Sequence, residues 1–389
     1  MLVANTPFLP FHRASIGEEE VQAVLDVLQS GWLTSGPKVK EFESHFSRFT
    51  GAKHALAVNS GTAALHLALA ACGLEAGDEV IIPTMTFAAT GEVVLYFKAR
   101  PVLVDSSENY FHIDPQQIER AITSRTRAIL PVHYAGYPCE MNEIMRIARS
   151  HGLKVIEDAA HSFPASYQGR MIGTIGDITC FSFYATKTIT TGEGGMITTD
   201  NEEYADRMRI LTLHGISRDA WNRYTSTGTW RYDITEAGFK YNLTDLQAAL
   251  GNSQLAKAET FRRRRGAVAR IYSQALRSME AFLPPPEPED GCHAWHLYVI
   301  RVNPGYLRIG RDQVIEELKL RGIGSSVHFI PLHLHSLYQK RLGYRAGQFP
   351  NAEKHFEQAI SLPLFPDMSE EEIERVTGAL REISCTYAK

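Results

Sequence analysis

The 389-residue chain has little that would tie it to an oxidising compartment, a membrane or a nucleic acid. Its five cysteines, Cys72, Cys139, Cys180, Cys292 and Cys385, are odd in number and widely scattered, with no C-x-x-C pair. That argues against a disulfide framework or a zinc site and favours a reducing cytoplasm. Long apolar runs are missing too: the longest, Thr62 to Leu74, is too short to cross a bilayer and contains His66. Met1 to Arg13 lacks the basic stretch and apolar run of a signal peptide. A formal charge of −4 is too small for a long-range field aimed at nucleic acid or acidic lipid. There is no internal repeat and no low-complexity segment. What is there is an ordinary globular composition, 44% apolar and 22% charged, on a chain long enough for two domains. A cytoplasmic protein is expected.

Along the first part of the chain, short apolar segments alternate with amphipathic ones. Strands are predicted over Glu79–Pro83, Pro101–Asp105, Ala128–Val132 and Lys154–Asp158. Helices are predicted over Glu18–Ser30, Val39–Phe49, Thr62–Cys72, Thr90–Phe97, Pro115–Ala121 and Met141–His151. Such alternation implies a mostly parallel sheet covered by helices on both faces, an α/β fold. Around Thr244 the pattern changes. A long helix to about Met279, weakened locally by Gly251 and Gly266, leads into the proline-rich stretch Leu283 to Asp290. A strand at His296–Val302 and helices at Arg311–Arg321 and Glu370–Ile383 follow. The expected organisation is a large α/β domain over residues 1–257 and a smaller α+β domain over residues 258–389.

Chemistry gathers at three places. Asp158 ends an apolar strand, where ligands bind in open α/β sheets. Lys187 lies between Phe181-Ser182-Phe183 and Gly192-Glu193-Gly194-Gly195, whose glycines let the backbone pass close to a bound ring. Ser60-Gly61-Thr62-Ala63 joins a strand to a helix, offering a phosphate the N–H groups of Thr62 and Ala63, a hydroxyl and a positive helix end. Each feature has a plainer reading: a helix cap for Ser60, Thr62 or Asp158, a solvated surface charge for Lys187. Together they suit pyridoxal phosphate. The lysine amine can form a Schiff base with the aldehyde, and the carboxylate can keep the pyridine nitrogen protonated. Other features suggest no site. Arg262 to Arg265 point in four directions on a helix, so a solvated, salt-bridged face is expected there in place of a nucleic-acid patch. His328, His333 and His335 have no accompanying carboxylate or cysteine spacing, so no metal site is expected. The aromatics of 221–232 fit either a substrate channel or a surface excursion.

The motifs Ser60-Gly61-Thr62-Ala63-Ala64-Leu65, Glu157-Asp158-Ala159-Ala160-His161, Phe181 to Gly195 and Lys240-Tyr241-Asn242-Leu243-Thr244-Asp245 together resemble the DegT/DnrJ/EryC1/StrS sugar aminotransferases. The resemblance extends from Ser30-Gly31-Trp32 to Leu364-Phe365-Pro366. At Val132 to Gly136, His214 to Trp221 and His293 to Leu297 it is nearest the branch that aminates C4 of UDP-sugars. It implies a pyridoxal-phosphate-dependent transferase of fold type I, aspartate aminotransferase-like. Lys187 would hold the cofactor covalently and then serve as general base, and Asp158 would pair with the pyridinium nitrogen. His161 would sit near the phenolic oxygen, and Phe87 would stack on the ring where the family often has tryptophan. Thr62, the Ala63 amide and Ser182 would hold the phosphate, with Gly61 in the same turn. Asn242 would reach the phosphate from the partner subunit of a homodimer with shared sites. Trp32, Thr34, His133, Tyr134 and His328 would wall the sugar site. The implied reaction moves an amino group from an amino acid, glutamate, to a nucleotide-linked keto sugar, at C4 of a UDP- or dTDP-4-keto sugar. A 3-keto sugar or cyclitol ketone is the alternative substrate. A non-catalytic, cofactor-binding regulator is the alternative function, against which intact Lys187 and Asp158 stand.

Overall fold

A computed structural model describes residues 7–216, 232–286 and 293–389. Cys292, the aromatics before Tyr232 and the second half of the proline-rich stretch lie outside the described residues. The central sheet has seven strands: β1 (His54–Val58), β2 (Glu79–Pro83), β3 (Arg100–Val104), β4 (Thr126–Ile129), β5 (Lys154–Asp158), β8 (Ile178–Ser182) and β9 (Gly195–Thr199). A small hairpin of β6 (Ser166–Tyr167) and β7 (Arg170–Met171) stands apart. The strand order is β1-β9-β8-β5-β4-β2-β3. Neighbours from β8 through β5, β4 and β2 to β3 run parallel, while β9 is antiparallel to both β8 and β1. Every residue of β2 is buried, as a strand covered on both faces requires.

Helices α2 (Pro37–Thr50), α3 (Gly61–Ala71), α4 (Ala88–Tyr96), α5 (Pro115–Ala121), α6 (Met141–His151) and α7 (Glu202–Thr212) surround this sheet, while α1 (Glu18–Ser30) packs on the long helix Asp245–Leu276. One apolar cluster gathers Leu67, Val94 and Ile156 with α3 and α4; another gathers Phe42, Phe46, Ile144 and Val155 with α2 and α6. Val155 and Ile156 fall in different clusters because successive strand residues face opposite sides. The same alternation decides the site. Phe181 and Phe183 turn into an aromatic group with Phe42, Phe46 and Phe163, with Phe46 and Phe181 centroids 5.1 Å apart. Burying each phenyl ring contributes about 2 kcal/mol, and Ser182 is thereby left on the opposite face.

Helix α8 (Asp245–Leu276) runs unbroken through both glycines. Thr244 opens it with a capping box: its Oγ1 accepts the Gln247 N–H, and Gln247 Oε1 accepts the Thr244 N–H. Gly251 has a packing reason, since a Cβ there would stand 2.8 Å from the Phe42 ring. The expected boundary at residue 257 falls inside this helix. Its first half buries Leu255 and Phe261 beside α2; its second half buries Val268, Tyr272 and Leu276 in a third cluster. That cluster lies under an antiparallel sheet of β10 (Phe282–Leu283), β11 (Tyr298–Val302) and β12 (Ala359–Leu362), with α9 (Arg311–Leu320) and α12 (Glu370–Thr386). Helices α10 (Ser336–Leu342) and α11 (Pro350–Gln358) return to the central sheet, where Tyr338 and Ala352 join the cluster of α3 and α4. Leu9 pairs with Ile323 and joins the third cluster, so the segment before α1 binds the C-terminal layer. Among the described residues no helix is long and apolar enough to cross a membrane.

Candidate active site

Lys187 occupies the loop between β8 and β9, and that loop is pinned along its length. Phe183 N–H donates to Gly194 O at 2.8 Å, Thr191 N–H to Phe183 O at 3.0 Å, and Lys187 N–H to Tyr184 O at 2.9 Å. Gly192 supplies the left-handed turn (φ 77°) that brings the loop back into β9. From the N-terminal segment, His12 Nε2 lies 3.1 Å from Ala185 O. Burial pulls the Lys187 amine down to about 8, and the Asp158 carboxylate opposes that shift.

Asp158 is the last residue of β5 and is nearly inaccessible to solvent. Thr90 Oγ1 donates to its Oδ2 at 2.8 Å, and Ala160 N–H to its Oδ1 at 3.1 Å. Thr86 Oγ1 lies 2.7 Å from Thr90 Oγ1. Burial raises the Asp158 carboxyl, while Thr90, the Ala160 amide and Lys187 pull the other way. Lys187, itself half-buried, thus lies close enough to the buried Asp158 for each charge to act on the other.

Beside β8, helix α3 begins at Gly61. Its N-cap, Ser60, accepts the Ala63 N–H at 3.0 Å, so the Ala63 amide already has a partner within the helix cap. Gly61 sits against Ser182: a Cβ at 61 would stand 2.9 Å from Ser182 Cβ. Gly195 presses on the same turn, where a Cβ would meet Ser60 O at 2.6 Å. Gly61, Thr62 and Ser182 therefore converge at the positive end of α3. Phe87 is the N-cap of α4, exposed, with its ring 5.6 Å from Phe329.

Three imidazoles gather near Lys187. His161 Nδ1 accepts the Ala135 N–H at 3.3 Å, and its ring lies 4.4 Å from His296 and 6.5 Å from His328. Burial first, then the charge of Lys187, holds both His161 and His328 below the usual histidine range, His328 at about 4. His296 is shifted down too, by burial, His161 and Lys187, and its Nδ1 has no partner. His296 was not expected from sequence; its place after Trp295, in a segment read as strand, gave no sign that the ring turns toward Lys187.

Two expected wall residues are corrected. His133 is fully buried and faces away: its Nδ1 accepts the Cys139 N–H at 3.0 Å, so Nε2 carries the proton and donates to Glu157 Oε2 at 2.9 Å. Burial alone would raise the Glu157 carboxyl, but bonds from His133, Gly176 and Thr179 bring it below its ordinary value. Tyr134 is also fully buried, stacked on Phe111 at 4.5 Å with its hydroxyl on His328 O, so it shapes the wall from behind. Trp32 and Thr34 are exposed in the loop between α1 and α2 and join a different group. Asp245 N–H donates to Thr34 O at 3.2 Å, Trp32 Nε1 to Ser35 O at 3.1 Å, and Asn242 Nδ2 to Ser35 Oγ at 2.7 Å. Trp32 and Asn242 thus meet at Ser35, and Thr34 meets the start of α8. The arginine run is corrected as well. Arg264 pairs with Asp367 and Arg262 with Glu259, but Arg265 is buried, donating to Leu364 O at 2.7 Å, with burial lowering it to about 9. A groove of 640 Å³ between α2 and α8, lined by Lys38, His45, Arg48 and Asn252, includes none of the residues around Lys187. Among the described residues, no group of His, Cys, Asp and Glu is arranged to hold a metal ion.

The sequence profile of the DegT/DnrJ/EryC1/StrS aminotransferase family matches residues 14–381. An uncharacterized protein of Methanocaldococcus jannaschii is 54% identical over 376 residues, covering 97% of each chain. The spore coat polysaccharide biosynthesis protein SpsC of Bacillus subtilis is 49% identical over 384 residues, covering 98% of this chain and 99% of its own. The putative sugar aminotransferase Spr1654 from Streptococcus pneumoniae, solved in PMP, PLP and apo forms, superposes in its PMP form with a TM-score of 0.91. It is 34% identical, covering 98% of this chain and all of its own.

Proposed function

The chain belongs to the DegT/DnrJ/EryC1/StrS aminotransferase family, and we propose that within it this protein moves an amino group from glutamate to C4 of a UDP- or dTDP-linked 4-keto sugar. It is a pyridoxal-phosphate-dependent sugar aminotransferase, taking a sugar substrate and an amino donor. The residues present fit that cofactor. A lysine amine and a buried carboxylate lie within reach of each other's charge, and the start of α3 lies against Ser182 with no room for a side chain at Gly61. An exposed aromatic, Phe87, precedes the turn that carries Thr90.

When bound, pyridoxal phosphate supplies an electron sink for the carbon that gains or loses the amino group. The chain supplies the rest. Gly61, Thr62 and Ser182 would hold the phosphate and fix the ring's direction. Asp158 would hold a negative charge at the ring nitrogen, Phe87 would cover one ring face, and His161 would stand at the phenolic edge. Lys187, with its amine pulled down to about 8, is neutral in a useful fraction near pH 7. It would take the proton from the glutamate Cα and, in the second half-reaction, deliver one to the sugar carbon. His161, His296 and Phe329 pack against one another beside it.

A homodimer with shared sites has its own support. Helix α1 exposes Val21, Leu25 and Leu28 at helical spacing, followed by exposed Trp32 and Leu33. Asn242 sits behind that loop, bonded to Ser35. The single observation that carries the catalytic reading is the placement of Lys187, in the loop after β8, beside Asp158 at the end of the paired strand β5. It is tested by a panel of UDP-, dTDP- and GDP-linked 4-keto and 3-keto sugars with glutamate. Amination of a UDP- or dTDP-linked 4-keto sugar is expected; turnover confined to 3-keto sugars or cyclitol ketones would overturn the C4 assignment.

A further inference from the structure

Thr90 belongs to none of the sequence motifs around Lys187 and Asp158, yet its hydroxyl is the side-chain donor on Asp158. We infer that Thr90, backed by Thr86, is a positioning residue that keeps the Asp158 carboxylate ionised and fixed toward the ring nitrogen of the cofactor. This rests on the reading of Asp158 given above.

A buried carboxylate tends to take up a proton unless donors hold its charge. Asp158 has one donor on each oxygen, the Thr90 hydroxyl at 2.8 Å and the Ala160 amide at 3.1 Å. The pair fixes the carboxylate plane as well as its charge. A threonine hydroxyl has a single proton, and Thr90 spends it on Asp158; Thr86, 2.7 Å away, is then the donor to Thr90. Thr86 and Thr90 are 1% and 0% exposed, so water cannot substitute for either hydroxyl. The two flank Phe87, the N-cap of α4, so one turn carries both the aromatic platform and the support of the acid.

The other groups facing Asp158 cannot take over. Lys187 approaches from the β8–β9 loop and favours the carboxylate by charge alone. His133, after β4, has both ring nitrogens engaged elsewhere, one accepting the Cys139 N–H and the other donating to Glu157. The Cys139 and Cys180 thiols are kept protonated by burial. Glu157, the neighbouring acid on β5, has its own donors in His133, Gly176 and Thr179.

The experiment is the pyridoxal phosphate dissociation constant, measured across pH by equilibrium dialysis, for wild type, Thr90→Val, Thr90→Ser, Thr86→Val and Asp158→Asn. Loss of the hydroxyl raises the Asp158 pKa, so affinity should begin to fall at a higher pH as solutions are acidified. Thr90→Val should bind about ten- to a hundredfold more weakly, the worth of a hydrogen bond to a charged group. Its acidic limb should move to higher pH, and Thr90→Ser should restore both affinity and limb. A merely structural lesion would weaken binding at all pH values without moving the limb. That outcome overturns the proposal, as does a Thr90→Val that matches wild type while Asp158→Asn binds weakly; in both, the reading of Asp158 survives. Wild-type affinity in Asp158→Asn would remove that reading and the proposal with it. Should Thr90→Val not fold, Thr86→Val decides: a smaller limb shift in the same direction supports the proposal, and an unmoved limb overturns it.

Discussion

Lys187, in the loop after β8, and Asp158, at the end of the neighbouring β5, bend each other's titration, with burial as the larger cause for both. Burial lowers the amine from 10.5 to about 8 against the pull of Asp158, and it raises the carboxyl against the pull of Lys187. An amine becomes nucleophilic only where it is neutral. The rate at which apoenzyme captures pyridoxal phosphate should therefore rise through about pH 8. In Asp158→Asn the opposing charge is gone, so the limb should move to lower pH. Stopped-flow absorbance checks both, and a wild-type limb near 10.5 or a shift to higher pH in the Asn variant would contradict the pairing.

Gly61 and Ser182 touch where the phosphate would be held. Adding a Cβ at 61 brings it to 2.9 Å from Ser182 Cβ, so Gly61→Ala must push α3 and β8 apart. Overpacking of this kind costs ~1–3 kcal/mol. Cofactor affinity should drop about tenfold or more, with a circular dichroism spectrum like that of wild type. Unchanged affinity would place the phosphate elsewhere.

His133 should behave as a structural residue. His133→Ala leaves Glu157 fully buried with one donor fewer, and breaking such a pair costs about 3 kcal/mol. Thermal denaturation should show a large loss of stability, while the relative rates on different keto sugars stay unchanged. Altered sugar preference at wild-type stability would restore the wall role that its burial argues against.

Asn242 tests the shared site by complementation. Lys187→Ala and Asn242→Ala are each expected to be poor enzymes. If Asn242 serves the neighbouring subunit's site, mixed dimers contain one site with both residues intact, and mixing should restore about a quarter of wild-type activity. No recovery on mixing would place Asn242 in its own subunit's site.

Much of this arrangement is legible in the sequence where one physical rule dominates. The buried strands β2 and β5 and the helices α1, α5 and α6 lie where apolar runs, spacing and glycine stops put them. Strand β9 was not expected because it carries Thr198 and Thr199. Both are buried core residues whose hydroxyls donate to Gly173 O and Asp177 O, so tertiary bonds satisfy a polar-looking strand. At the site, Asp158 and Lys187 are marked by their places beside apolar strands. His133 misleads because the segment after β4 reads as groove lining while its ring turns into the core. Thr86 and Thr90 are silent because hydroxyls four residues apart at a helix start look like caps. Arg265 is hidden by its run: four adjacent arginines read as a solvated face, and only packing shows which one is buried.

The central claim is that the amine of Lys187 is the one that takes the cofactor. Purified protein mixed with pyridoxal phosphate, reduced with sodium borohydride and digested should yield a single pyridoxyl-bearing peptide, with the label on Lys187. A label on another lysine, or no label, would contradict the account.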